Sequence, residues 1–561
     1  MAIKLKDTEF RLSTVSLLDF KSIEMDRVLT GLFARIKHGG FDSRLSQGEL
    51  HTIEKFAAQF LDNPDKFRGF NKHKRVLERW LETHLLDLVN RGKPGQAVAA
   101  PRPLHGYTYR FRNSKHCRDY GAAPQIYEML WSARNETGKL ALDRLKQFFF
   151  EGVDFATNQV DAGVEVDVET QALLSALTAE EVTQDAPKPN TREMHDPICV
   201  GSADLMANDI LRLMSYRSVI PRSVMVEYLK ILLAFHLALY YLRLLKILPG
   251  LVKRKAAEPL CQRERCPVKP SSANDPFGDC PFRIGLFVDV AGKSDGRIAR
   301  LAVQSADVHY RRIPQFIRSN YVARKLDEFG RSLLALGTIQ GGTRRQLAMW
   351  ELLQLLDTGR AQERDNFFGM RLMSMVEETK GEDDTIDPEI QRVVDLQLGK
   401  MDTYIECLVA LRGDYHRSFI VRALDSFMLK NRPGALLAQT RAKGASRRFV
   451  LDSRLLEVLL QLAVLEVSGA QGFYTREIKI EDLLVFLRER YGIFIDALPV
   501  GEGFGAPSIE DREALRQNKA AFKDKLRDIG FFQDLSDAYV TQHVTPRYRI
   551  EKDAPNGGGG A

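Results

Sequence analysis

The chain has 561 residues, too many for one ordinary core; at about 150 residues per domain it holds three or four. With 44% hydrophobic and 28% charged residues it is not a disordered chain, and a formal charge of +7 permits a polyanionic partner without demanding one. MAIKLKDTEFRLSTVSLLDF has no apolar run leading to a small-residue cleavage site, and six cysteines make no disulfide framework, so a reducing cytoplasm is expected.

Residues 1–92 read as an N-terminal helical domain. LDFKSIEMDRVLTGLFARIK and LHTIEKFAAQFL carry apolar residues at three- and four-residue spacing, and RVLERWLETHLLDLVNRG ends on a glycine where helices stop. A Pro/Gly/Ala connection, RGKPGQAVAAPRP at 91–103, leads into a second helical or mixed segment over 104–152. There YRFRNSKHCRDY sets Arg110 and His116 at the R-x(4–6)-H spacing that small helical ribonucleases use on a helix. Here the alternation of aromatic and basic residues reads instead as an exposed strand or loop, of a composition suited to stacking on bases. Residues 153–194 alternate acidic and small residues and read as a linker with one helix near TQALLSALTAEEV.

A central helical domain follows over 195–429. In VMVEYLKILLAFHLALYYLRLLKILPGLV, 224–252, the longest uncharged run, Ile231 to Leu242, falls short of the roughly 20 residues a membrane span needs. Glu227, Lys230, Arg243 and Lys246 punctuate the stretch, so it reads as a buried helix, and no membrane partner is expected.

The cysteine segment CQRERCPVKPSSANDPFGDC, 261–280, comes next. Structural zinc takes four soft ligands in a tetrahedron, and Cys261, Cys266 and Cys280 in a C-x4-C-x13-C pattern supply three. The fourth would come from elsewhere: Cys199, His195 and His236 are the nearest soft candidates, Asp275 and Asp279 the oxygen donors. The competing reading is free thiols in a loop.

The strand 283–290, RIGLFVDV, runs into a loop holding Gly292-Lys293-Ser294. A P-loop needs glycine at position 287, where this chain has Phe287, whose side chain fills the space a phosphate would take. Asp289 suits either a magnesium ligand or a cap for the following loop, but no second carboxylate and lysine follow at nuclease spacing. A metal-dependent nuclease or nucleotide-dependent effector with a site near Asp289 and Lys293 stays as the alternative function. From Arg297 to Gly413 helices dominate again.

KNRPGALLAQTRAKGASRRF, 430–449, is basic and rich in small residues and reads as a linker. Over 450–550 three helices precede two short β-like runs, the order of a winged helix, before a flexible tail at 551–561. In the third helix Arg512, Arg516, Lys519 and Lys523 recur at four, three and four residues, beside an apolar stripe of Leu515, Phe522, Leu526 and Ile529. A basic stripe beside a buried one suits a helix in the major groove of duplex DNA, with Arg547 and Arg549 on the wing reaching phosphates or the minor groove. The fold expected is therefore mainly α with small β elements (α+β) and multidomain, a helical body plus a C-terminal winged-helix-like domain.

The YYLRLLKILPGL helix, the cysteine pair before FRIGLFVDVAG, the helix KLDEFGRSLLALG and the C-terminal block together resemble large accessory proteins of multigene bacterial anti-phage systems. The likeness is to phosphorothioation-dependent restriction and methylation-associated defence, over roughly residues 220–550. It implies a role in a complex that distinguishes self from foreign DNA, with catalysis supplied by other subunits. Together with the C-terminal block, this makes the expected function that of a non-enzymatic DNA-binding scaffold component acting with modification and effector subunits. No catalytic residue carries over with it.

Overall fold

Helices form almost wherever apolar side chains recur at three- and four-residue spacing. The computed structural model describes residues 8–552 apart from 48–51, 63, 66, 90–97, 112–116, 155–158, 162, 165, 177–184, 189–192, 255–260, 267, 273, 294, 340–345, 381–384, 443, 468–471 and 533–542. Helix holds 57% of the chain and every sheet among the described residues has two strands, so the fold is mainly α with small β elements, as expected.

The order opens with α1 (Met25–Lys37), α2 (Ile53–Leu61), α3 (Lys74–Trp80) and the antiparallel pair β1 (Leu86–Val89) and β2 (Val98–Pro101). Then come α4 (Ala122–Ser132), α5 (Thr137–Phe149), β3 (Val153–Asp154), β4 (Gln159–Val160), α6 (Val168–Ala176) and α7 (Val200–Met214). α8 (Arg222–Arg254) and β5 (Leu286–Phe287) lead into α9 (Arg297–Tyr310), α10 (Ile313–Ala335), α11 (Met349–Gln354), α12 (Ala361–Glu378), α13 (Pro388–Val394) and α14 (Lys400–Phe427). β6 (Leu437–Ala438), β7 (Arg448–Phe449), α15 (Ser453–Ala463), β8 (Leu465–Val467), β9 (Phe473–Thr475), β10 (Ile478–Lys479), α16 (Ile480–Phe486), β11 (Ile493–Phe494), α17 (Ile509–Asp528) and β12 (His543–Val544) complete it.

α8 explains the apolar stretch at 224–252. It is long and apolar enough to cross a membrane, yet 94% of its most apolar window is buried within the fold. α1, α7, α10, α14 and α15 pack around it, so apolar side chains are needed on every side. Two of its cations are paired: Lys230 with Asp26 and Glu227, and Lys246 with Glu502. One continuous cluster of buried apolar side chains runs from Phe10 to Val544, through segments that read as separate domains in the sequence.

The apolar run at 283–290 is held from both sides. Leu286 N–H donates to the Gly492 carbonyl and Val288 N–H to that of Phe494, while Asp289 N–H donates to the Phe449 carbonyl. β11 lies parallel to β5 with Ile493 opposite Leu286. Gly492 has φ 73°, and a Cβ there would stand 2.2 Å from the Ile284 carbonyl oxygen, so glycine alone allows this approach.

Three stretches differ from the sequence expectation. The basic stretch 430–449 contains the antiparallel pair β6–β7, with Leu437 and Phe449 fully buried opposite one another. Gly106–Phe111 is a buried turn rather than an exposed strand or loop, because Arg110 inserts against Asp185 at 3.3 Å. Asp185, in the segment read as a linker, also accepts from Ser43 and Tyr109. His116 lies outside the described residues.

At the centre, Asp209 on α7 is completely buried. Arg490 donates to one of its oxygens and Tyr491 Oη donates to the other at 2.8 Å, while His236 Nε2 of α8 stands 3.1 Å away. Burial pushes the Asp209 carboxyl up, but Arg490 and His236 outweigh it and hold the group down at about 2. A folded value below the unfolded value of about 3.9 gives stability that is complete above about pH 4 and lost as pH falls toward 2. Asp209→Asn should therefore remove part of the acid-induced fall in melting temperature across that window. Asp209→Ala should cost about 3–5 kcal/mol at pH 7 by stranding Arg490. Thermal melts of both variants from pH 7 to 2 check these outcomes.

Candidate functional site

α17 is fixed at its inner face before its outer face can present anything. Ser508 caps its start by accepting from Asp511 N–H, and Phe522 and Leu526 are fully buried. Asn518, also fully buried, donates to the carbonyls of Val288 and Ile495 and accepts from Val290 N–H, each at 2.9 Å. One amide side chain thus stitches α17 to both sides of the β5–β11 pair.

The four basic residues predicted on this helix do not stand alike. Arg512 and Arg516 face outward, and the Arg516 side chain is 77% exposed, with Glu513 3.5 Å away. Lys519 is half-buried and donates to Glu481 at 2.8 Å, and Lys523 is half-buried.

β10 lies between α15 and α16 and pairs antiparallel with β12, which follows α17; Phe532 bridges Val544 on the other side. Of the two wing arginines, Arg549 is exposed. Arg547 is exposed too, but its guanidinium is engaged: it pairs with the buried Glu457, donates to the Ile529 carbonyl and lies 4.9 Å over the Phe531 ring. Glu457 also accepts from Tyr228 Oη of α8 at 2.5 Å, and a carboxylate so buried needs a cation beside it. No sequence signal marks that demand, since the pair spans 90 positions.

Asp289 is buried at the end of its extended run. One oxygen accepts from Gly292 N–H at 2.9 Å and the other stands 3.4 Å from Arg448 Nη1. Burial raises its carboxyl above the usual range, and the groups opposing that are the N–H groups of Gly292 and Ala291 and the cations Arg448 and Lys525. A magnesium ligand would face a second carboxylate where Asp289 faces an arginine. Lys293 is exposed on the loop, and Phe287 is fully buried in the cluster shared with Ile298, Leu301 and Leu515, where a phosphate loop would need open backbone.

Cys261, Cys266 and Cys280 come together around one small cavity of about 20 Å³, and Cys199 joins them there. Among the described residues, no group of three or more His, Cys, Asp or Glu side chains is placed to hold a metal ion as the side chains stand. The other ligand candidates are engaged or elsewhere. His236 stands by Asp209, His195 lines a separate groove, Asp275 pairs with Arg283, and Asp279 is exposed.

A family model described as methylation-associated defense system protein MAD7 matches residues 5–548, nearly the whole chain. The chain belongs to the MAD7 family. Of the two kinds of defence its layout resembles, the match selects the methylation-associated one. Membership of MAD7 makes it an anti-phage defence protein with other components of the system beside it. No curated protein and no solved structure shows significant similarity to it.

The capping role of Asp289 sets an expectation for this MAD7 chain. Asp289→Ala should lower stability by about 1–3 kcal/mol, because the Gly292 N–H and Arg448 lose their acceptor. Lys293→Ala should leave stability unchanged. Denaturant titration measures both, and magnesium-dependent DNA cleavage abolished by either change would instead support a nuclease. Phe522→Ala should cost about 3–5 kcal/mol in the same assay, since that ring is fully enclosed.

Proposed function

We propose that this protein is a non-enzymatic, DNA-contacting scaffold of its methylation-associated defence complex, working in the cytoplasm with modification and effector subunits. The C-terminal block would lie on duplex DNA, with α17 as the reading helix and the helical body as the seat for partners. The observation that carries the reading is the outward pair Arg512 and Arg516 in the first two turns of a helix locked from below by Asn518 and Phe522. A recognition helix presents its N-terminal turns to the groove, and side chains held in common register act together.

The strand order supports it. A strand between the first two helices that pairs with one following the third is the arrangement of a winged helix, and the pairing of β10 with β12 follows that pattern. Lys523 and Arg549 would extend the contact to phosphates. Lys519, tied to Glu481, would add less, and Arg547 would hold the wing in place rather than touch DNA. No catalytic residue is assigned, and the chemistry would come from other subunits.

The test is fluorescence anisotropy of the full-length protein on a short duplex across a salt series. Each phosphate neutralised contributes about −0.9 to the log–log slope, so Arg512→Ala/Arg516→Ala should flatten it by about two if both arginines meet phosphate. Lys519→Ala should change it less. An unchanged affinity and slope in the double variant would show that this face meets a protein or only water.

A further inference from the structure

We propose that Cys199, Cys261, Cys266 and Cys280 form a tetrathiolate site for one structural zinc ion, which clips the 261–280 segment to the start of α7. Cys199 occupies the N-cap of α7, Cys261 and Cys266 flank the short turn Arg263–Arg265, and Cys280 closes the segment. All four line the same cavity of about 20 Å³, walled otherwise mainly by apolar groups such as Ile247, Val268 and Phe277. All four are free cysteines. That volume admits a single ion, and zinc would stand about 2.3 Å from each sulfur. The thiols ring the cavity rather than meet at its centre. Each sulfur is placed by χ1 alone, so side-chain rotation is the adjustment that closing onto an ion requires.

Donors already point at the sulfurs. The Val268 backbone hydrogen-bonds the Cys266 sulfur and the Phe282 backbone that of Cys280, two residues on in each case and both in a Cys-Pro-x sequence. Ser202 Oγ donates to Cys199 Sγ at 3.2 Å. Hydrogen bonds to sulfur orient it, as outer-shell partners do in metal sites.

Charge supplies the independent argument. Arg243 of α8 is 1% exposed, and its Nε has no hydrogen-bond partner. The guanidinium donates to Ser202 Oγ and lies 3.7 Å over the ring of Phe277, a wall of the cavity, and among the described residues no carboxylate pairs with it. A buried cation without a counter-charge is strongly unfavourable. Zn²⁺ with four thiolates carries a net charge of about −2, and placed here it gives Arg243 its partner. Four thiols lose four protons to the solvent as the ion binds.

The clip would fix more than the cysteines. Arg263 and Arg265, held between Cys261 and Cys266, form one wall of a groove lined by Trp131 and Trp350, with Arg265 3.8 Å over the Trp350 ring.

The experiment is metal analysis of the full-length protein, purified without chelator from zinc-supplemented culture. The expected result is about one equivalent of zinc, lost in Cys199→Ser and in Cys266→Ser and retained in Cys117→Ser and Cys407→Ser. Should a site variant fail to fold, the wild type decides. Refolded with Co²⁺ alone it should show the visible and sulfur-to-metal charge-transfer bands of a tetrahedral tetrathiolate, and four thiols should become reactive when chelator strips the ion. The proposal is overturned by wild-type protein with no zinc and no cobalt spectrum, by a disulfide among these cysteines, or by a full equivalent of zinc in Cys199→Ser.

Discussion

The contact on which the rest of the structure depends is the ion pair between Asp209 and Arg490. It joins a helix of the body to the C-terminal block across 281 positions of sequence, inside a cluster that excludes water. A charge pair in such a place adds little net stability over well-packed apolar groups, because both partners must be desolvated. Its effect is on register. Tyr491 and His236 reach the same carboxylate, so α7, α8 and the turn after α16 have one mutual placement that satisfies it. Glu457 repeats the device nearer the surface, where it gathers Tyr228 of α8 and Arg547 after β12.

This coupling bears on how a scaffold would work. The outer face of α17 is carried on Asn518, which grips the β5–β11 pair, and the chain entering β5 comes directly from the cysteine segment. With the proposed zinc clip in place, the arginine face and the tryptophan-lined groove would be joined through β5 and the cysteine segment.

Much of this was legible in the sequence, and the exceptions share a cause. Periodicity exposed the helices, and the charges at Lys230, Arg243 and Lys246 marked α8 as enclosed by protein rather than lipid. The inner stripe of Leu515, Phe522 and Leu526 is buried as its spacing implies. What escaped was every property fixed by a distant partner. Arg110 looks like surface until Asp185, 75 positions away, is placed against it, and the pairing of Arg547 with Glu457 is equally invisible. The stretch 430–449 hides two strands because its apolar residues, Leu436, Leu437 and Phe449, are scattered among basic and small ones. Spacing could bring three cysteines together and name Cys199 as a candidate fourth, but only the packing of α7 against the segment sets that sulfur beside them.

The parallel pairing of β5 with β11 also governs how the protein is born. Val290 N–H and the Val288 carbonyl wait for Asn518, which follows 228 and 230 positions later. At about 5–20 residues per second, a ribosome leaves that apolar strand without its partner for roughly 10 to 45 s. During that interval its apolar residues lack the strand and the amide that cover them in the finished fold. A product released early, before Gly492 and Arg490 are made, lacks both the strand and the charge that close the core. Such a fragment would leave Asp209 without its cation and the 286–287 strand without its parallel neighbour.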